Sequence, residues 1–548
     1  MKKGIVTLAL TAIACYGATA QTVLEGSITA NTSLNANTCY LLRGCVQVES
    51  GATLTIPAGT KILGEKATRG TLIIKRGAKI AANGIASNPI VFTSNQPAGS
   101  RAPGDWGGIV IAGYATNNQP GDTFKIEGPC EPIYAGGTND ADNSGVMRFV
   151  QLHYAGIPHP TLPDNELNSL TMAAVGNGTV IENIQVTYAN DDAYEWFGGA
   201  VNCKNLIAYN TKDDDFDTDF GYHGKVQFAF AYRRDPNQHD ISGSNGIESD
   251  NDATGSANGP KTHPIFSNVT LLGPLYANAT AHAEFRRGMH IRRNSEQNVY
   301  NSVIVGWPLE GLYVDGATTI ANTGTNLLNS SYNTYYNNAG GTIGSTAWSG
   351  SCAAATSAAV WLNVGATGTS CLESGNSLLA SAPGYSGTLT SAVCPAKPSF
   401  TLTTNNLGAP TYTGVSDLAD AFFVKTGNFR GAFGTTDWTL NWTNWCPNAT
   451  SYCNLGAAAA KAAAPALQLV PNPTNGTTYA VFEAAKAGKV RLVITDKVTG
   501  MILRSVTADV QAGEQRVAFN AAGLSVGVYF VRVEMADGTV TAGQLSVN

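Results

Sequence analysis

The chain has 548 residues, with 33 basic against 39 acidic side chains and a formal charge of −6. This balance excludes the basic face that a nucleic-acid binder presents, so no nucleic-acid partner is expected. Only 13% of residues are charged, against about 25% in an average globular domain, and 60 are glycine. Those proportions fit an extended all-β chain with many turns, and the length allows two or three domains.

Residues 1–20 read as a signal peptide. Lys2 and Lys3 precede an apolar run from Ile5 to Ala14, and Ala18-Thr19-Ala20 offers a small-x-small cleavage site that leaves Gln21 first. The alternative of a lipidated Cys15 lacks the leucine such sites favour in Ala12-Ile13-Ala14. No later stretch approaches about 18 apolar residues, so the mature chain is expected to have no transmembrane segment. Ten cysteines in an exported chain point to disulfides. The short spacings of Cys39 with Cys45 and of Cys446 with Cys453 suggest local staples, and an odd total without Cys15 leaves a free thiol.

Whole motifs then recur at a period of 22. Asn183-Ile184 returns as Asn205-Leu206 and as Gln227-Phe228, and Ile184/Val186, Leu206/Ala208 and Phe228/Phe230 alternate as on one strand face. Val150-Gln151-Leu152 matches Ile184-Gln185-Val186, and Val269-Thr270-Leu271 and Val303-Ile304-Val305 continue the series. Period two within strands and 22 between them is the signature of a right-handed parallel β-helix, in which stacked rungs bury one apolar column. A β-sandwich of evenly spaced strands is the alternative.

Thr53-Leu54-Thr55-Ile56, Asp105-Trp106-Gly107-Gly108-Ile109 and Trp196-Phe197-Gly198-Gly199 resemble a family of secreted bacterial β-helix proteins. Gly431-Ala432-Phe433 with Asp437-Trp438-Thr439 is similar to that family's closing segment, which extends the resemblance over residues 36–447. It implies a surface protein and the β-helix fold, with no established activity. The passenger is expected over 21–455, with 339–400 as a less regular, disulfide-tied insertion or flank. Residues 456–465 form an alanine-rich linker.

From Pro471-Asn472-Pro473 onward, strands at Val490–Thr495 and Val528–Val533 flank a turn at Asp496 to Gly500. Residues 466–548 resemble the C-terminal sorting domain of type IX secretion, a small β-sandwich. The resemblance implies the type IX secretion machinery as a partner and an extracellular or outer-surface location. The lysine pair that often precedes the last strand of such domains is replaced by Gly543-Gln544.

Asn190-Asp191-Asp192-Ala193-Tyr194-Glu195 and Asp213-Asp214-Asp215-Phe216-Asp217-Thr218-Asp219 form the main polar cluster. The 22-residue register stacks Asp191 on Asp213 and Asp235, Asp192 on Asp214, and Glu195 on Asp217. Carboxylates one rung apart, about 4.8 Å, repel by about 3 kcal/mol at an effective dielectric near 20. A cation offsets that, and calcium suits Asp191, Asp192, Asp213 and Asp214. The competing interpretation is that these acids cap turns, as Asn210 is expected to do.

A catalytic interpretation rests on Asp217-Thr218-Asp219 and Tyr222-His223-Gly224, which loosely resemble the Asn-Thr-Asp and Gly-His-Gly elements of polygalacturonases. It would use Asp217, Asp219 and His223, or Arg233 or Arg234 as the base of a lyase. Arg286-Arg287 and Arg292-Arg293 offer charges to an acidic polysaccharide or are merely solvated. Trp106, Trp196, Trp307, Trp438, Trp442 and Trp445 offer sugar-stacking faces, or in the case of Trp438 and its neighbours an end cap. Together these features point to a surface β-helix protein that binds, adheres or displays. A polysaccharide lyase or glycoside hydrolase acting on acidic polysaccharide is the alternative.

Overall fold

The computed structural model describes residues 21–453 apart from 129, 131, 159–165, 351, 369–370 and 387–397. It also describes residues 467–548 apart from 485, 497–501 and 536–539. The signal peptide and the alanine-rich linker expected above lie outside the described residues. Two compact units separate after Cys453.

Residues 21–453 wind into a parallel β-helix with three sheet faces. On the first face Gly108–Ala112, Leu170–Val175, Tyr194–Gly199, Phe216–Asp219, Ile247–Ser249, Met289–Ile291 and Leu312–Val314 stack in parallel register. The long strands Gly145–His153, Val180–Thr187 and Asn202–Tyr209 each bend mid-way and serve the other two faces. Their bends place Phe149, Asn183 and Asn205 at positive φ. Asparagine tolerates that region because its short amide bonds locally, so the corner column is readable in the sequence as recurring Asn.

Inside the coil the expected alternation holds for Ile184, Val186, Leu206 and Ala208, all fully buried, with Ile184 opposite Leu206. It fails for the third copy. Cys203 pairs with Val226 and Ile207 with Phe230, a step of 23 rather than 22, so Ala229 and Ala231 point inward. One inserted residue flips every side chain to the other face of a strand. Phe230 therefore packs outside the coil against Phe400 and Phe433, at 4.5 and 4.9 Å between ring centroids. Phe228 moves to the corner. Aromatic residues fill the interior near the first face, Tyr194 stacking on Phe216 at 5.5 Å and Trp196 on Tyr222 at 5.3 Å.

The rungs continue past 339, since Ile343–Ser345 and Ser377–Leu378 still pair with the coil. The end of the core is covered by Ile320, Leu328, Trp361 and Leu362, in a segment tied by Cys352–Cys371. Trp438 and its neighbours do not close that end. The segment from Phe400 to Cys453 instead runs as a strap along the outside of the coil. Its Phe400, Phe433, Trp442 and Trp445 cover outward-facing Ile207, Tyr209, Phe230, Val303 and Val305. Buried outward amides anchor it: Gln185 donates to Asn444 O at 2.9 Å and accepts from Asn444 N at 2.8 Å, and Gln227 does the same with Val424 at 2.9 and 2.8 Å.

The disulfides correct the expected local staples. Cys39 is bonded to Cys453 across 414 residues, fastening the strap's end to an early rung, and Cys45 is bonded to Cys130. Cys446 is disulfide-bonded too, though not to Cys453. Proximity in sequence misleads here because the strap returns to the start of the coil. Among the described residues the free thiol is Cys203, buried in the core.

The C-terminal unit is an antiparallel sandwich. Gln468–Val470, Thr477–Ala484 and Gly513–Asn520 form one sheet, and Ile502–Val510, Gly488–Asp496, Gly527–Met535 and Val540–Val547 the other. Leu469, Phe482, Leu492, Ile494, Val531 and Leu545 share its core. Among the described residues no helix is long and apolar enough to cross a membrane.

Candidate acidic site on the first sheet face

The first face carries Glu195, Asp217 and Glu248 in one outward column, each directly opposite the next. They project outward because Tyr194, Trp196, Phe216 and Ile247 take the alternate, inward positions. Before each strand the chain turns sharply, and there lie Asp191-Asp192 on one rung and Asp213-Asp214 on the next. Asp192 accepts the N–H of Asp214 at 2.8 Å, and Asp214 accepts that of Asn245 at 2.5 Å. One oxygen of each of these two acids is therefore a turn cap, as the competing interpretation expects.

Carboxylate oxygens of neighbouring rungs also approach one another, with Asp213 in addition accepting from the Ser242 hydroxyl at 2.8 Å. Oxygens of Asp191, Asp192 and Asp213 lie within 4.8 Å of each other, and so do those of Asp192, Glu195 and Asp217. Asp192 belongs to both groups. One oxygen of Asp217 is shut off from solvent with no hydrogen-bond partner. Asn168, which donates to Glu195, also leaves its own side-chain oxygen unpartnered. Burial first, then the mutual repulsion of the carboxylates, holds Asp191, Asp192, Glu195, Asp213 and Asp217 well above the usual carboxylate range. Burial also raises Asp214 and Asp219.

The structure adds acids to the site that the repeat did not reveal. Glu127, pushed up to about 7 by burial and by Glu166, reaches the cluster from an excursion between rungs, and Asp240 faces Asp191. Glu248 and Asp250 continue the ladder. Ile247-Glu248-Ser249-Asp250 repeats the alternation of Phe216-Asp217-Thr218-Asp219, but a 31-residue spacing hides it. The same long loop removes Asp235 from the stack: Asp213-Asp214 is followed by Ser244-Asn245, and the N–H of Asp235 is capped by Asn210 at 2.9 Å.

The catalytic candidates do not converge on these acids. Arg233 is fully buried and spent on the fold, pairing with Asp215 at 2.9 Å and donating to the carbonyls of Thr211, Asp213 and Asn245. Asp215 stays as high as about 6 because burial outweighs that pairing. Arg234 interacts with the hydroxyl of Tyr209 in the tyrosine column of another face. His223 pairs with Asp140 at 3.2 Å. On this face the column from Asp217 through Glu248 ends on His290, two rungs from Asp217, and that histidine is already engaged, with Nδ1 3.6 Å from Glu248 and Nε2 paired with Asp315 at 3.3 Å. Arg286 pairs with Glu284, Arg287 with Glu310, Arg292 with Glu248 and Asp250, and Arg293 with Asp250, so all four are ion-paired rather than merely solvated. Trp106, Trp196 and Trp307 are interior, and Trp442 and Trp445 are buried on the underside of the strap against the coil.

The stacked parallel coil with an acidic outward column defines a parallel β-helix protein. The chain belongs to the pectate-lyase-like β-helix family, whose description matches residues 26–371. No curated protein matches the chain significantly.

Proposed function

We propose that the chain is an exported surface protein whose β-helix holds calcium on its acidic face and through it binds acidic polysaccharide. The observation that carries this reading is the pair of overlapping carboxylate groups meeting at Asp192, together with the unpartnered Asp217 oxygen. An all-oxygen donor set is hard and anionic. Calcium takes oxygens at about 2.3–2.6 Å, so oxygens around one ion stand at most about 4.6–5.2 Å apart, a limit that both groups, with oxygens within 4.8 Å of one another, satisfy. Asp191, Asp192 and Asp213 would hold one ion, and Asp192, Glu195 and Asp217 a second. Bound calcium would cancel the repulsion among these acids and leave ligand positions for the carboxylates of a uronate chain. The chain's own residues supply positioning, through the Asp192 and Asp214 turn caps, and rigidity, through the Arg233–Asp215 pair.

Export is supported by several disulfides, which persist in oxidising compartments, and by the resemblance of the C-terminal sandwich to a type IX sorting domain. A lyase or hydrolase has less support, because the basic groups that reach the acids, His290 and Arg292, are already paired with Asp315, Glu248 and Asp250. The test is a screen of purified protein against acidic and neutral polysaccharides, with and without calcium, measuring both retention and release of reducing or unsaturated ends. Calcium-dependent retention of acidic chains without product is the expected result. Product release would instead establish the enzyme reading, and loss of all retention would refute both.

A further inference from the structure

A cavity lies at a different corner of the coil, away from the acidic face. Along the bend between the second and third faces, successive rungs place Phe149, Asn183, Asn205, Phe228, Asn268 and Asn301 at positive φ, with values from 48° to 60°. Asparagine suits this backbone, whereas a phenylalanine there costs about 1–2 kcal/mol. Both phenylalanines meet the strap, Phe149 against Trp442 at 5.8 Å and Phe228 against Phe429 at 6.4 Å. Between these two supports the corner offers only the short side chains of Asn183 and Asn205. The strap bridges the gap and leaves a cavity of about 280 Å³ lined by Lys204, Asn205, Phe228, Phe429, Thr436 and Trp438.

Lys204 gives the cavity its chemistry. Its strand neighbours in register are Glu182 and Gln227, and Glu182 is already held by Arg148 at 2.9 Å. Among the described residues no hydrogen bond or ion pair reaches the Lys204 ammonium, which sits over the Phe422 ring at 4.4 Å. Burial lowers its pKa against the opposing pull of Glu182. A half-buried ammonium with no anion in bonding contact is a costly arrangement that a bound carboxylate relieves. The aromatic rings beside it supply a flat apolar wall.

We propose that this cavity binds a single carboxylate-bearing ring, with its face against Phe228 and Phe429 and its carboxylate on the Lys204 ammonium. The volume lies just under the about 300 Å³ at which drug-sized pockets begin, which admits one ring and not a chain segment. Such a ring is supplied either by the end of a uronate polysaccharide or by a free aromatic acid. Trp438 lends an edge and not a face, since it stacks between Phe433 at 5.5 Å and Trp442 at 6.4 Å.

The experiment titrates the full chain with galacturonate, its neutral methyl ester and benzoate, in chelator so that calcium on the acidic face plays no part. Lys204→Met should weaken the acids at least tenfold while leaving the ester unchanged. Phe228→Asn, which installs the residue that neighbouring rungs carry at this φ, should weaken every ligand the wild type binds, with the near-ultraviolet dichroism of the core retained. Binding of galacturonate alone assigns the site to polysaccharide ends, and binding of benzoate alone to free aromatic acids. If neither acid binds, or if Lys204→Met binds them as the wild type does, the proposal is overturned. Because chelator is present throughout, that failure leaves the calcium reading untouched.

Discussion

The carboxylate of Asp192 accepts the backbone N–H of Asp214, 22 residues further on, at 2.8 Å, while its side chain also belongs to both carboxylate groups of the acidic face. One residue thus performs the turn-capping role and contributes to the arrangement that favours a cation. Two kinds of substitution that look alike in the sequence are thereby separated.

Glu195→Gln with Asp217→Asn should remove the response to calcium and leave the turns intact. In the wild type, calcium at one hundred times its dissociation constant adds about 2.7 kcal/mol of stability, so chelation should lower the melting temperature. In the double variant chelator should change nothing. Asp192→Asn and Asp214→Asn should each cost stability with and without chelator, because each weakens a cap on a buried backbone N–H worth about 0.5–1.5 kcal/mol. Calorimetry of the four proteins decides. An unchanged wild-type melting curve on chelation, with no calcium in the purified protein, would refute the cation.

Stability in chelator should fall as pH rises from 5 to 7.5. Burial raises Glu373 and Glu127 in the folded chain from 4.5 to about 7. Below pH 4.5 both states hold the proton and nothing is lost. Between about 4.5 and about 7 the unfolded chain releases it first, so stability decreases with pH. For the fully enclosed Glu373 the loss is roughly 3 kcal/mol. The acids with lowered values, such as Asp252 at about 2, act below this window. Calcium should flatten the decline, since it replaces protons on the acidic face but not on Glu373. Melting temperatures across pH, with and without calcium, would show it.

Cys453→Ser should free the end of the strap. Loss of a native disulfide costs about 2–4 kcal/mol, and the bond at issue spans 414 residues. Tyr452, which packs on Leu41, Leu63 and Val91, should loosen with it. The expected outcome is a lower melting temperature together with proteolytic cuts confined to residues 401–453. A uniform loss of the whole coil would show that the strap is not a separable element.

Removing residues 466–548 should leave the passenger in the periplasm if the C-terminal sandwich is the export address. Cell fractionation with an antibody to the β-helix measures this, and normal delivery of the truncated chain to the surface or the medium contradicts it.

Arg233→Ala should cost about 3–5 kcal/mol, because it strands a buried carboxylate at Asp215. The substitution should lower stability without changing polysaccharide retention by the fraction that remains folded. A retention defect at full stability would return Arg233 to the functional residues.

The class of fold is legible in the amino-acid order alone. The period of 22 from Asn183 to Asn205, and the alternation of Ile184/Val186 with Leu206/Ala208, leave little choice, because a strand buries every second residue and a coil repeats its corner. The same repeat places Glu195 on Asp217 and Asp192 on Asp214, since those contacts lie within its exact register. Beyond the first irregular turn, long-range packing settles the rungs. A step of 23 sends Phe228 to the corner and Phe230 outward, and a 31-residue spacing replaces Asp235 by Ser244 and brings Glu248 beneath Asp217. The pairing of Cys39 with Cys453 and the burial of Arg233 were likewise beyond local pattern. Both depend on a strap and a loop folding back from far along the chain, and the free energy of such contacts comes from surfaces that sequence neighbours do not share.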